Sequence, residues 1–252
     1  MPDFVELVRQ DGIARITLNR PPLNILHSPM LEELTAILDD AAAESRVLVI
    51  AARGRAFCAG VDVGEHLPER VAPMLARFHG MCRRLIGLDI PTVAAVHGAA
   101  LGGGCEVVAL CDIVVAARSA TFGQPEIKLA SFPPVAAAAL AQVMGLRQAM
   151  ALMLTGETIT AAAAQAAGLV TTVVDDDALA GQVERVTARL AGLSGPALRL
   201  AKRAGLAGFR RAFEDGLVEA ERLYLDDLVA TEDAREGIQA FLEKRVPVWR
   251  HR

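Results

Sequence analysis

Three short apolar runs separated by helix-length segments constrain the fold of this chain most strongly. They lie at Arg46–Ala51, Thr92–Val96 and Ile113–Ala116. Such runs, in which apolar and polar residues do not alternate, are typical of strands buried on both faces of a parallel sheet. Helical spacing of apolar residues over Met30–Ala43, and from about Pro68 to Leu88, fills intervals between strands. We therefore predict an α/β fold, with right-handed crossovers and helices outside the sheet.

The two ends of the chain depart from this central pattern. Phe4–Val8 and Ile13–Leu18 are joined at Asp11-Gly12, which predicts a β-hairpin. Beyond Val135, strand signals nearly vanish except near Val170–Val174. Helices are predicted over Asp176–Leu193, Pro196–Gly208, Arg210–Leu228 and Thr231–Lys244. The sequence thus predicts a core over residues 1–195 and a helical extension over 196–252, which packs on the core or on a neighbouring subunit.

Composition excludes several classes of function. A net charge of -4 and an aromatic content of 4% give neither a basic face nor a base-stacking surface, so we expect no nucleic-acid partner. No apolar run reaches the roughly 18 residues of a membrane span, and Met1–Phe4 does not begin a signal peptide. The cysteines lack metal-site spacing, so reduced thiols in the cytoplasm are expected. The four cysteines are Cys58, Cys82, Cys105 and Cys111.

Two glycine-bearing turns follow predicted strands, at Arg53–Asp62 and His97–Glu106. Glycine lets backbone amides approach a ligand oxygen, and a helix N-terminus adds unpaired donors. Two such turns together supply a pair of donors to one developing oxyanion. The alternative is that the glycines only permit tight turns and close packing. A nucleotide-phosphate loop is disfavoured, because Gly102–Gly104 run together and Glu106 follows them.

Glu106 and Glu126 are the candidate acid and base. Glu106 lies among apolar residues, and burial of a lone carboxylate is costly unless it is paired or protonated. Glu126 follows a short predicted strand at Phe122. If both carboxyls line one pocket, the pair shares a proton and supplies one acid and one base. The sequence leaves open that Glu126 is a surface residue and that Glu106 has an arginine partner.

Histidines carry less chemistry in this reading. His97, at a strand end, is expected to be packed or hydrogen-bonded rather than catalytic. His66 and His79 are predicted on a polar helical face, and His27 and His251 are predicted to be exposed.

Three other charged residues and one missing motif complete this survey. Asp112 is expected to serve as a cap or an ion-pair partner, while Arg20 and Arg55 are either surface charges or phosphate contacts. The chain has no G-x-S-x-G motif, so a serine hydrolase would lack its nucleophile.

Three motifs together resemble the crotonase, or enoyl-CoA hydratase/isomerase, superfamily. They are Ala56–Asp62, Ala100–Glu106 and Phe122–Ile127, and the resemblance extends over essentially the whole chain. It implies a crotonase-like spiral of ββα repeats with a helical C-terminal extension that serves trimerisation. It also implies a homo-oligomer, either a trimer or a dimer of trimers.

The resemblance implies a role for each matched residue. The amides of Val61 and Gly103 would form an oxyanion hole for the thioester oxygen. Glu106 would act as the water base and Glu126 as the proton donor. The acyl-CoA thioester is the implied partner; no metal and no separate cofactor are expected, since coenzyme A is part of the substrate. The implied substrate and coenzyme A contacts are Arg20 and Arg55 near the phosphates, Ala59 at the adenine, and Asp62, Gly102, Phe241 and Lys244.

One segment departs from the pattern of straight-chain enoyl-CoA hydratases. Those enzymes carry a proline and a glycine-rich run after the second glutamate, whereas this chain has Phe132–Ala137, which contains Pro133-Pro134. This segment, together with Gly64–Pro68 and Leu223–Leu228, looks closest to cyclohexa-1,5-diene-1-carbonyl-CoA hydratases. We therefore expect a cyclic dienoyl-CoA substrate. The alternatives are a straight-chain enoyl-CoA hydratase of fatty-acid β-oxidation, a Δ-isomerase with one working carboxylate, and a non-enzymatic binding protein of the same fold.

Overall fold

Two sheets organise the protein, whose computed structural model describes residues 4–252. The larger sheet has the order β1-β2-β3-β4-β6-β9, and β5-β7-β8 form the smaller one. Only β1–β2 and β7–β8 pair antiparallel. The strands are β1 Val5–Gln10, β2 Ile13–Leu18, β3 Val47–Ala52, β4 Thr92–Val96, β5 Ala99–Leu101, β6 Ile113–Ala117, β7 Thr121–Gly123, β8 Thr158–Thr160 and β9 Thr172–Val174.

Helices cover both faces of the larger sheet. Leu48 and Ile50 of β3 point into the main core, whereas Val47 and Val49 pack in a second cluster with Val183 of α7. This alternation explains why β3 is apolar at every one of these positions. The helices are α1 Ser28–Ala43, α2 Pro68–Gly87, α3 Gly103–Ala109, α4 Pro134–Met144, α5 Leu146–Thr155, α6 Ala161–Ala166, α7 Leu179–Ala191, α8 Gly195–Arg222 and α9 Glu232–Leu242.

Two successive repeats each contribute one strand to each sheet and then a helix. In one repeat β4 and β5 lead into α3; in the next, β6 and β7 lead into a short 3-10 helix, Pro125–Leu129. Because β5 pairs with β7, with Leu101 opposite Gly123, the two strand ends lie side by side. The fold is the crotonase-like spiral that the sequence predicted, with a helical C-terminal region.

Two helical predictions were wrong in detail. The sequence predicted one helix ending at Gly208 and another beginning at Arg210, but α8 runs unbroken through both. A Cβ at Gly205 or Gly208 would meet no atom within 4 Å. These glycines therefore only weaken the helix, by roughly 1 kcal/mol each relative to alanine. The chain then continues into a π-helical turn, Leu223–Leu228. The predicted boundary at 195/196 falls at the start of α8 and stays a prediction.

The histidine predictions were also partly wrong. His79 is completely buried and does not lie on a polar face. Its burial is possible because its Nδ1 lies 2.6 Å from a Glu221 oxygen on α8. His27 is half-buried against Phe4, with ring centroids 4.6 Å apart, instead of being exposed. His97 is hydrogen-bonded as predicted, with its Nε2 lying 3.0 Å from the Gly54 carbonyl oxygen.

Two other expectations concern Asp112 and the apolar stretches. Asp112 forms the predicted ion pair, with Lys202 Nζ 2.7 Å away, and accepts a hydrogen bond from the Thr92 amide. Within residues 4–252, no helix has the length and hydropathy needed to cross a membrane. The expectation about a signal peptide concerns Met1–Asp3, which lie outside the described residues, and Phe4.

Candidate active site

A cavity of about 340 Å³ lies where the two neighbouring repeats end. Glu106 of α3 and Glu126 of the 3-10 helix both line it, so the structure brings the two candidate carboxyls together. Most of the remaining wall is apolar and comes from α2, the segment before α4, and α9. The apolar side chains include Met74, Leu75, Phe78, Leu129, Phe132, Pro133, Ile238 and Phe241.

Glu106 is held by the first turn of α4. Its Oε1 accepts a hydrogen bond of 2.7 Å from the Ala136 amide, and the residue is only 3% exposed. Pro134, at the first helical position, starts α4 without removing an amide that another helical residue requires. The segment that departs from the family pattern thus directs a helix N-terminus, with its partial positive charge, at Glu106.

Glu126 lies against the glycine turn that precedes α3. A Cβ placed on Gly102 would lie only 2.4 Å from Glu126 Oε1, and Gly102 has a φ of +51°. No other residue type fits this position without moving the carboxyl group. The residue as a whole is partly exposed, but its Oε2 atom is buried and has no hydrogen-bond partner in residues 4–252.

Burial and proximity together perturb both carboxyls. Burial raises the pKa of the Glu106 carboxyl, and the neighbouring Glu126 carboxylate raises that pKa further. Burial likewise raises the pKa of Glu126. Because two like charges in one desolvated cavity are unfavourable, the pair retains a proton at neutral pH. An acid and a base therefore face the same cavity. The arginine partner left open for Glu106 is not present among residues 4–252.

The backbone amides of Val61 and Gly103 belong to residues that line the cavity beside this pair. Hydrogen bonds join the two glycine turns: the Cys58 amide donates to the Ala99 carbonyl, and the Leu101 amide donates to the Cys58 carbonyl. A Cβ on Gly103 would lie 2.7 Å from Val61 Cγ2, which shows how closely the turns approach. In the described chain, neither the Val61 nor the Gly103 amide donates to a backbone acceptor. This arrangement suits one developing oxyanion.

The other predicted contact residues divide into two groups. Ala59, Gly102 and Phe241 line the cavity. Asp62 does not; its carboxylate accepts a hydrogen bond from the Gly64 amide and caps a short 3-10 turn, Val63–His66.

Three predicted basic contacts also lie outside the cavity wall. Arg20 donates to the Ile25 carbonyl oxygen at 2.7 Å and so stabilises its own loop. Arg55 and Lys244 are exposed.

Sequence reasoning missed several polar residues of the cavity wall, among them Ser131, Tyr224 and His66, which was expected on a polar helical face. Ser131 Oγ and Tyr224 Oη are 2.8 Å apart, and both side chains are buried. Two signals were available for Tyr224, which is the only tyrosine in the chain and lies in the Leu223–Leu228 segment that carries part of the family resemblance. Its contact with Ser131 spans 93 residues, so no local pattern reveals the pair.

Known proteins are similar to this chain over nearly its whole length. The profile described as enoyl-CoA hydratase/isomerase matches residues 8–252. The chain belongs to the enoyl-CoA hydratase/isomerase family. It is accordingly an enzyme of the enoyl-CoA hydratase type, a lyase, and not a binding protein that only shares the fold. An acyl-CoA substrate is consistent with this family.

Individual relatives match with similar coverage. The probable enoyl-CoA hydratase echA8 of Mycobacterium bovis is 39% identical over 97% of this chain and 96% of its own length. The cyclohexa-1,5-dienecarbonyl-CoA hydratase of Thauera aromatica is 36% identical over 100% and 98%. Among solved structures, an enoyl-CoA hydratase from Mycobacterium avium subsp. paratuberculosis superposes with a TM-score of 0.88. It has 30% sequence identity, and the match covers 98% of both chains.

Proposed function

We propose that this enzyme adds water to the conjugated double bond of an enoyl-CoA thioester through Glu106 and Glu126. The observation that carries the proposal is the placement of both carboxyls on one cavity beside the unpaired Val61 and Gly103 amides. A single carboxylate suffices to move a proton between carbons, whereas hydration uses one group on water and one on carbon. The pair therefore favours hydration over isomerisation.

The contacts of the two carboxyls support a division of roles. We assign Glu106 as the base that takes a proton from water, because the hydrogen bond from the Ala136 amide at a helix N-terminus lowers its pKa and offsets part of the rise caused by burial and by Glu126. We assign Glu126 as the proton donor to carbon, because burial raises its pKa and its Oε2 has no partner in residues 4–252, so the proton shared by the pair lies on Glu126 in the reactive form. The water oxygen bonds to the β-carbon while the double-bond electrons move toward the thioester. The Val61 and Gly103 amides then stabilise the oxygen that becomes negative.

A cyclic dienoyl-CoA is the substrate that we propose. The relative named cyclohexa-1,5-dienecarbonyl-CoA hydratase aligns with the entire chain, which supports this choice. Phe78, Phe132 and Pro133 give part of the cavity wall flat, rigid surfaces suited to a ring. In a 1,4-addition the proton goes to a ring carbon beyond the α-position, so Glu126 must reach farther than in a straight-chain reaction. The similarity to echA8 favours the second candidate, a straight-chain enoyl-CoA hydratase.

The remaining assignments follow from the same substrate. Ala59, Gly102 and Phe241, which line the cavity, stay proposed contacts of the substrate, with Ala59 at the adenine. Arg20, Arg55, Asp62 and Lys244 do not line the cavity and stay proposed substrate or coenzyme A contacts, with Arg20 and Arg55 near the phosphates. No separate cofactor takes part, and the enzyme works in the cytoplasm.

A homo-oligomer, either a trimer or a dimer of trimers, is also proposed. An exposed apolar stripe on α5 supports this assembly, because residues four apart lie on one face of a helix. The stripe consists of Leu146, Met150 and Leu154.

A substrate panel in heavy-oxygen water tests the reaction and the acyl group together. Cyclohexa-1,5-diene-1-carbonyl-CoA and crotonyl-CoA are incubated separately with the protein. Entry of the heavy oxygen into the product supports hydration, and faster turnover of the ring substrate supports the cyclic choice. Glu106→Gln and Glu126→Gln should each lose activity by about 10²–10⁴-fold, whereas Glu157→Gln, at an exposed residue, should not. A shifted double bond without label would support an isomerase instead.

A further inference from the structure

A second, small pocket lies behind the cavity that holds the two glutamates. Its volume is about 20 Å³, which exceeds the roughly 10–15 Å³ that one water molecule requires. His66, Ser131, Tyr224 and Ile238 line both spaces, so these side chains form the partition between them. Arg235, an exposed residue of α9, lines the small pocket, which therefore reaches the surface.

The partition carries unused hydrogen-bonding capacity. Ser131 and Tyr224 have two hydroxyl hydrogens between them, and their mutual hydrogen bond uses only one. Burial raises the pKa of Tyr224 to about 12, so its hydroxyl stays protonated at neutral pH. The second hydroxyl hydrogen has no acceptor among residues 4–252 and is available to a water molecule on either side of the partition.

His66 adds an acceptor to this pair. Its Nδ1 lies 3.0 Å from the Asp62 carbonyl oxygen, which only accepts, so Nδ1 carries the hydrogen. Burial lowers the pKa of His66, which keeps the ring neutral. Its Nε2 lone pair is then free to accept a hydrogen bond. A water molecule in the small pocket thus has donor and acceptor partners of the kind that buried waters use.

The positions of these groups are fixed by the reactive segment itself. The Ser131 amide donates to the Glu126 carbonyl oxygen at 3.1 Å, so the hydroxyl pair is tied to the turn that carries Glu126. Tyr224 belongs to the π-helical turn Leu223–Leu228, a local irregularity often found at functional sites.

We propose that Ser131, Tyr224 and His66 form a water port between the small pocket and the catalytic cavity. Through this port, water exchanges with the surface while an acyl-CoA occupies the cavity. The inference rests on the proposed hydration, which consumes one water molecule per turnover. When the acyl group fills the largely apolar cavity, these three side chains are the polar route by which water reaches the glutamates from behind. They are positioning residues, and the bond-making steps remain with Glu106 and Glu126.

Oxygen exchange during the reverse reaction tests the port. The hydrated product of each panel substrate is supplied in heavy-oxygen water, and any enoyl-CoA that leaves the enzyme is trapped by excess enoyl-CoA reductase. Dehydration releases a water molecule inside the cavity. If that water escapes while the enoyl-CoA stays bound, rehydration places heavy oxygen in the hydroxyl group. The ratio of label entry to enoyl-CoA release therefore measures water exchange in the closed complex.

Two kinds of variant should change this ratio. Ala234→Leu fills the small pocket from α9, and Tyr224→Phe removes a hydroxyl while keeping the size of the side chain. We expect a ratio clearly above zero in the unmodified enzyme and a fall toward zero in both variants. Ala230→Leu makes the same change at an exposed position outside the small pocket and should leave the ratio unaltered.

The outcomes separate the port from the reaction. A ratio of zero in the unmodified enzyme, with enoyl-CoA released, or a ratio unchanged by Ala234→Leu and Tyr224→Phe, overturns the port while hydration stands. If Ala234→Leu does not fold, Tyr224→Phe decides alone. Complete absence of heavy oxygen from the hydroxyl group, with no enoyl-CoA formed, overturns the proposed hydration and the port with it.

Discussion

Replacing Glu126 by glutamine should reduce the loss of stability that the protein suffers between pH 5 and pH 8, while it lowers activity. In the unfolded chain both glutamates ionise near their ordinary pKa of 4.5. In the folded protein burial raises the pKa of each carboxyl, so the pair keeps a proton that the unfolded chain has lost. The contribution of the pair to the free energy of unfolding is therefore fully present below about pH 4.5. It is lost as the pH rises through the raised pKa values of the folded protein.

The magnitude follows from that retained proton. Each retained proton lowers the free energy of unfolding by about 1.4 kcal/mol per pH unit over this window. Glu126→Gln removes the like charge, so the pKa of Glu106 falls and less stability is lost. The new amide keeps an unpartnered buried atom, which costs about 1–3 kcal/mol at every pH. The change in stability between pH 5 and pH 8 is therefore the quantity to measure.

Urea unfolding of the unmodified protein and of Glu126→Gln at both pH values measures this change. We expect the free energy of unfolding of the variant, relative to that of the unmodified protein, to be about 1–3 kcal/mol higher at pH 8 than at pH 5. In thermal scans this corresponds to roughly 2–4 °C for each kcal/mol. Glu157→Gln, at an exposed residue, is the matched control and should gain nothing. An equal difference between protein and variant at the two pH values would refute a desolvated pair that shares a proton.

Three further substitutions, and a fourth as a control, probe the site and its supports. Gly103→Ala places a Cβ 2.7 Å from Val61 Cγ2 and displaces the donor amide, so kcat should fall about 10²–10³-fold, and an unchanged kcat would contradict the oxyanion hole. Ala130→Gly relieves a left-handed alanine with a φ of +49°; urea unfolding should show a gain of roughly 0.5–1 kcal/mol, and a loss of stability would contradict strain. Lys202→Met removes the nearly buried partner of Asp112 and should cost about 3–5 kcal/mol in urea unfolding. Arg118→Met, at an exposed pair, should cost under about 1 kcal/mol, and equal costs would contradict the difference in burial.

The long strands and the candidate reactive residues could be predicted from the sequence. β3, β4 and β6 are buried on both faces, so their apolar runs are visible without any knowledge of neighbours. The three-residue strands β5 and β8 are too short to show a periodicity, and the sequence did not predict them. The run of glycines indicates where α3 and the turn before it lie. Other atoms approach the backbone so closely there that no side chain fits.

The burial and contacts of residues whose partners are distant in the sequence could not be predicted. His79 has the spacing of a polar helical face, and only Glu221, 142 residues away, makes its burial acceptable. The Ser131–Tyr224 contact is also long-range. The glycines of α8 gave a false signal of two helices. A sequence shows that glycine weakens a helix, but not that neighbouring turns and packing preserve it.

The C-terminal helix α9 lies in close contact with the segment that carries Glu126, so the reactive groups and part of the cavity wall come from different parts of the chain. A Cβ on Gly237 would lie 2.1 Å from the Leu129 carbonyl oxygen, so α9 lies directly on the 3-10 helix. The carboxyls and amides come from residues 61–126, whereas Tyr224, Ile238 and Phe241 line the same cavity from the C-terminal region. Substitutions in the last thirty residues can therefore change which thioester is accepted while the bond-making step is inherited intact.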